Sequence, residues 1–205
     1  NAALITVAAS LLATPALAET STINAADTAW MIVATALVLM MTIPGLALFY
    51  SGMVRKKNVL ATMAQSLAAV AIISILWVAF GYSLAFVGDG PWIGTLDRWF
   101  LIGMTMESVN PAAKTIPEAL FMLYQMTFAI ITVALVAGSV ADRMRFSAYL
   151  LFSVGWFIFV YIPLAHWVWG GGFLASMGVL DFAGGLVVHL SAGTAGLVAA
   201  KVMGR

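Results

Sequence analysis

The chain has 205 residues, 63% of them hydrophobic and only 8% charged, with nine Lys+Arg against eight Asp+Glu. Soluble domains carry about 25% charged residues, so the composition excludes a water-soluble globular protein, and a near-neutral chain without a basic run excludes a nucleic-acid binder. There is no cysteine, which removes disulfides, thiolate metal sites and thiol catalysis, and two histidines with few acids leave little for a metal centre. An all-α integral membrane protein remains.

Ala2–Ala18 is a short apolar stretch that ends in Ala16-Leu17-Ala18 before Glu19. This A-x-A pattern reads as a secretory signal peptide over residues 1–18, cleaved to leave a domain over 19–205. The alternative is a further membrane helix, but the stretch falls short of the roughly 20 residues a span needs. Five longer apolar stretches follow. The first runs from Asp27 to Val54 and stops at Arg55-Lys56-Lys57. The second runs from Asn58 to Val87. A polar segment holding Asp89, Asp97, Arg98, Glu107, Lys114 and Glu118 comes next. The third span starts near Pro117 and ends before Asp142-Arg143-Met144-Arg145. The fourth covers Phe146–Trp169, and the fifth Phe182–Met203. Each is long enough to cross a bilayer. Lone amides have no partner in lipid, so these are helices.

Local signals agree. Thr115 and Glu118 have capping-box spacing, with Pro117 in the first turn. Asp181 stands where an N-cap is expected, and Gly170-Gly171-Gly172 ends the fourth span. Seven of the nine basic residues (Arg55, Lys56, Lys57, Arg143, Arg145, Lys201, Arg205) flank alternate span ends. That side is expected to be cytoplasmic. The mature N-terminus then lies outside and Arg205 inside. The segment 88–116 lies outside, with Trp92, Trp99 and Phe100 at headgroup level.

The fifth span is the least lipid-like. Ala192, Gly196 and Ala200 recur every four residues and suit a close helix contact. His189 shares a face with Gly185 and Gly193, which leaves room around the imidazole. An ionisable group near mid-span faces the bundle interior and marks a pathway; the plainer reading is a hydrogen bond to a neighbouring helix. Asp181 either caps the helix or contacts a cation. A carboxylate held by several N–H donors stays ionised. His166 and Trp169 share a face, on which Trp169 is either an interfacial belt residue or part of an aromatic face for a cation. Tyr124 and Phe128, four apart on the third span, read as packing when taken alone. The sequence carries no H-E-x-x-H, G-x-S-x-G, P-loop or G-x-G-x-x-G, so neither an enzyme nor a cofactor is expected.

Four motifs in order resemble the ammonium transporter (Amt) family, in its bacterial branch. They are Thr42-Ile43-Pro44-Gly45-Leu46-Ala47-Leu48-Phe49-Tyr50-Ser51-Gly52-Met53-Val54-Arg55; Gly81-Tyr82-Ser83-Leu84-Ala85-Phe86; Tyr161-Ile162-Pro163-Leu164-Ala165-His166-Trp167-Val168-Trp169-Gly170-Gly171-Gly172; and Asp181-Phe182-Ala183-Gly184-Gly185 with Val188-His189. The resemblance implies an eleven-helix fold built from two inverted five-helix halves and one added helix. It also implies a homotrimer with one pore per subunit. The chain matches the first half and reads as an N-terminal fragment of such a transporter.

By the same resemblance, Trp169 and Phe128 belong to an external ammonium site that also takes methylammonium. Tyr124 stands where the family has one of two stacked gate phenylalanines, and a phenol, unlike a phenyl ring, can hydrogen-bond. His189 matches the first of two pore histidines. Asp181 matches an acidic residue beside the recruitment site. A PII-type regulator is the expected partner at the cytoplasmic face of the bacterial inner membrane. Two other functions compete: a sensor or scaffold that binds ammonium without conducting it, and an ion-coupled transporter of another small substrate. The latter class often shows several intramembrane charges or interrupted helices.

Overall fold

The structure, a computed structural model, describes residues 22–204. The signal peptide expected at 1–18 and the terminal Arg205 lie outside the described residues. Among the described residues, five helices are long and apolar enough to cross a membrane: α1 (Ala25–Met53), α2 (Lys56–Phe86), α3 (Glu118–Val140), α4 (Phe146–Ser176) and α5 (Gly185–Met203). They match the five apolar stretches within a few residues, except that α4 continues past the expected end at Trp169, through the glycine turn at 170–172, to Ser176. In α1, Pro44 brings no N–H and Ile43 before it takes extended angles (φ −127°, ψ 112°), so the helix is interrupted there. The expected start of the fifth span at Phe182 moves to Gly185. Residues 182–184 form a turn instead, closed by Gly184 at φ +79°.

One end of the bundle gathers the basic residues. Arg55 Nε lies 3.3 Å from Asp142 Oδ2, and Asn58 Nδ2 donates to Asp142 Oδ1. Arg143 Nη1 donates to the Gly204 carbonyl at 2.7 Å. These contacts tie together the α1–α2 turn, the α3–α4 turn and the end of α5. The Asn58 amide, and after it the Arg55 guanidinium, hold the Asp142 carboxyl below its ordinary value. A depressed folded-state value means stability that is present above the unfolded value, near pH 4, and lost as pH falls through the folded value. The Asp142→Asn protein is therefore expected to melt below the parent at pH 7 and to converge with it below about pH 4. Asparagine tolerates the left-handed backbone at Asp142 (φ +64°). Thermal midpoints in detergent between pH 3 and 7 check this. A gap that does not vary with pH would contradict it.

The core lies between α2, α3 and α4. Trp77 is fully buried and its Nε1 donates to the Met122 carbonyl at 3.1 Å. Tyr82, Phe86, Phe157 and Tyr161 surround it, with ring centroids 6.1–6.3 Å away. Close approach by small residues joins the other helices to α3. A Cβ on Gly138 would stand 2.5 Å from Tyr50 Cε1, and one on Gly196 would stand 3.0 Å from Ser139 Oγ. Ala192 and Gly196 are buried, so the small-residue stripe of α5 packs on α3 as its spacing predicts.

At the opposite end, the segment between α2 and α3 folds over the helix mouths. Asn24 N donates to the Thr115 carbonyl at 2.8 Å. The expected Thr115–Glu118 capping box does not form. Pro117 occupies the N-cap position and supplies no side-chain acceptor. Glu118 turns inward instead and is only 3% exposed. Its Oε1 accepts the Tyr82 hydroxyl at 3.0 Å and lies 3.4 Å from Arg98 Nε. Asn110 Nδ2 donates to the Tyr82 hydroxyl at 3.0 Å and to the Phe86 carbonyl at 3.2 Å. A buried carboxylate costs several kcal/mol unless paired, and this network supplies the pairing.

Candidate functional site

The site begins where α4 unwinds. Gly170-Gly171-Gly172 follow Val168 and Trp169, and Gly171 takes φ +86°. The His166 carbonyl accepts from both Gly170 N (3.1 Å) and Gly172 N (3.0 Å). A Cβ on Gly170 would stand 2.0 Å from the Ala85 carbonyl oxygen, so only glycine fits this close approach. The turn leaves the Trp169 indole facing the next segment, and its Nε1 donates to the Asp181 carbonyl at 2.7 Å.

Asp181 does cap α5, though not from the N-cap position. That position belongs to Gly184. The carboxylate reaches forward and accepts three amides: Gly185 N at 2.7 Å on Oδ1, and Leu186 N and Val187 N, each at 2.9 Å, on Oδ2. The donors are the orphan amides of a helix start, where a negative charge is favoured. One residue thus fixes both the start of α5 and the Trp169 ring.

These parts enclose a cavity of about 260 Å³. Its lining includes Tyr124, Gln125 and Phe128 from α3, Phe86 from α2, Trp169, and Asp181-Phe182-Ala183. Phe128 and Trp169 have centroids 6.0 Å apart at 72°, and Tyr124 and Phe128 5.0 Å apart at 76°. Tyr124 therefore meets Phe128 edge to face. The structure brings Trp169, Phe128, Tyr124 and Asp181 together in one place. His189 stands elsewhere. It lines a separate cavity of about 400 Å³ with Tyr50, Gly138, Ser139, Gly193 and Gly196. Its ring makes no hydrogen bond among the described residues and is exposed there. It lies in the π-helical first turns of α5, Gly185–Leu190.

Sequence reasoning missed Gln125. Its Oε1 is buried, has no hydrogen-bond partner among the described residues, and belongs to a side chain on the cavity wall. The available signal was an amide in an apolar span, three residues before Phe128 and on the same face. His166 goes the other way. It shares a helix face with Trp169 by spacing but takes no part in the cavity. Fully buried, it sets Nδ1 3.0 Å from the Ala85 carbonyl and Nε2 2.6 Å from the Gly90 carbonyl. It fastens the Trp169 end of α4 to the end of α2.

The Ammonium Transporter Family profile matches residues 29–205. An ammonium transporter of Bacillus subtilis is 54% identical over 179 residues, covering 87% of this chain and 44% of that protein. The crystal structure of Candida albicans Mep2 superposes with a TM-score of 0.80 at 37% identity, covering 91% of this chain and 41% of that one. A solved sensor Amt protein superposes with a TM-score of 0.76 at 25% identity, covering 86% of this chain and 44% of that one. The chain thus spans a little under half the length of the relatives it matches. The Bacillus subtilis relative is named as a transporter rather than an enzyme. Five apolar helices and a profile match over most of the length make this a multi-pass membrane protein, and the chain belongs to the ammonium transporter family.

Proposed function

We propose that this chain recruits ammonium at the Trp169–Phe128 cavity and passes ammonia along a hydrophobic route past Tyr124 to His189. The observation that carries the reading is the convergence of two aromatic rings, an amide oxygen without a partner among the described residues and a capping carboxylate on one small cavity. A cation over an aromatic face gains about 0.5–2 kcal/mol per contact. The Gln125 oxygen offers an acceptor for an N–H of the ligand. The Asp181 oxygens are taken up by α5 amides, so Asp181 holds Trp169 in place and leaves the direct contacts to the rings and Gln125.

A dry apolar route carries a large desolvation cost for an ion, on the order of 20 kcal/mol in the idealised limit, and neutral ammonia escapes it. The proton is therefore separated from ammonia at or below the recruitment cavity. His189 acts at that step, because a neutral imidazole both donates and accepts and can relay a proton. In this reading the protein sits in the bacterial inner membrane. Trp169 faces outward and the basic end faces the cytoplasm, a reading that the distribution of Lys and Arg supports. It works as a homotrimer, with a PII-type regulator at its cytoplasmic face.

The likeness to a sensor Amt protein keeps a second reading in play, in which ammonium is bound but not conducted. Uptake of methylammonium by proteoliposomes holding the natural gene product separates the two. Uptake competed by ammonium, and not by sodium or amino acids, is the expected result. Ligand binding without flux would favour the sensor. Competition by amino acids or dependence on sodium would favour an ion-coupled transporter of another substrate.

A further inference from the structure

A second cavity, about 500 Å³, lies beside the aromatic one, and Trp169 lines both. Its wall carries Asp89, Arg98, Asn110 and Glu118. Their formal charges, two negative and one positive, leave an excess of one negative. Glu118 stands out among them. It is 3% exposed, and its Oε2 has no hydrogen-bond partner among the described residues. Its Oε1 already accepts the Tyr82 hydroxyl and forms an ion pair with Arg98, whose Nε lies 3.4 Å away. An ionised carboxylate offers about four lone-pair sites, so acceptor capacity is left over. Arg98 does not supply the missing donor: its Nη1 donates to the Ile102 carbonyl at 3.3 Å. Asp89 is exposed at the same cavity and makes no ion pair among the described residues.

We propose that this cavity is an antechamber for a small ammonium-type cation, held by the Glu118 and Asp89 carboxylates before it passes Trp169 into the aromatic cavity. The inference rests on the recruitment reading above and adds a step ahead of it. The ligand class follows from the wall. Surplus carboxylate acceptors call for a cation that brings its own N–H donors. The shared Trp169 ring gives that cation a next station. The excess negative charge acts on arrival, because a charged cleft with apolar walls raises the local concentration of counter-ions. Chemistry further along the route is left unchanged.

The competing role for Glu118 is a purely structural latch between Arg98 and Tyr82. The two roles differ in sign. Methylammonium uptake by proteoliposomes of the natural gene product is measured against concentration for Glu118→Gln, Arg98→Gln and Asp89→Asn. An antechamber predicts that Glu118→Gln raises the half-saturating concentration about threefold or more, and Asp89→Asn about twofold, with maximal rate preserved. It predicts that Arg98→Gln lowers it, since the only positive group on the wall is removed. The Asp89→Asn effect shrinks at high salt. A latch predicts that Glu118→Gln and Arg98→Gln both impair uptake in the same direction and that Asp89→Asn does nothing. That pattern overturns the proposal. If Glu118→Gln does not assemble, the exposed Asp89 decides. Trp169→Leu in the same assay tells the two levels apart. A raised half-saturating concentration there with none at Asp89 refutes the antechamber alone, whereas no change at Trp169 refutes the recruitment reading beneath it.

Discussion

Replacing His189 with alanine is expected to abolish selective methylammonium conduction and to leave the helix bundle assembled. The two halves of this expectation come from the same geometry. The imidazole is exposed among the described residues and makes no hydrogen bond there, so truncating it opens no buried void and orphans no partner. Changes at such positions usually alter stability by no more than about 0.5 kcal/mol. Its surroundings are small residues, Gly193 and Gly196 among them, on the wall of a roughly 400 Å³ cavity. An ionisable side chain kept in a membrane-spanning helix amid small residues is costly unless it serves a pathway. Without it, the cavity keeps its apolar lining but loses the one imidazole able to relay a proton there. Flux in the His189→Ala protein that matched the parent would remove His189 from the mechanism. Loss of the assembled protein would instead make it structural.

The second large effect is on stability. Trp77→Ala is expected to destabilise the bundle by about 3 kcal/mol, the lower end of the range for a buried aromatic truncated to alanine. The lower end applies because lipid is as apolar as the core, so the loss is mainly of packing and of one hydrogen bond. Trp77 is fully buried at the junction of α2, α3 and α4, touches four aromatic rings, and ties itself to the Met122 carbonyl. Thermal unfolding in detergent checks the size. Trp77→Phe, which keeps a ring but loses the indole N–H, is expected to cost about 1.5 kcal/mol or less. Equal losses for both variants would mean that the hydrogen bond, and not the ring packing, carries the contribution.

The spans were legible because a bilayer imposes one simple rule on sequence: some 20 apolar residues between polar ends. Length and charge were therefore enough to set α1 to α5 within a few residues, apart from the short helical piece of α4 beyond the glycine turn, which ends at Ser176. The contact of α5 with α3 was legible for a related reason, since Ala192, Gly196 and Ala200 repeat at helical spacing. Asp181 was recognisable as a cap, though not the turn at 182–184 that lets it cap from four residues ahead.

Contacts that join residues distant in the chain were not legible. Glu118 has capping-box spacing from Thr115, yet its partners are Tyr82 and Arg98, which local pattern cannot supply. His166 has the right spacing to join Trp169, but its ring is claimed by carbonyls of Ala85 and Gly90, 81 and 76 residues earlier. Gln125 went unnoticed because one amide in an apolar helix carries a weak signal. Only the fold shows that its oxygen has no partner among the described residues and that its side chain lies on a cavity wall.

The recruitment cavity is the centre of this account, and the concentration dependence of methylammonium uptake by Trp169→Leu tests it most directly. Leucine keeps an apolar side chain of moderate size but offers no π face and no N–H for the Asp181 carbonyl. The account predicts that the half-saturating concentration rises about twofold to thirtyfold, the equivalent of losing one cation–π contact, while uptake at saturation remains measurable. A half-saturating concentration equal to the parent's would contradict it and leave Trp169 as an interfacial belt residue.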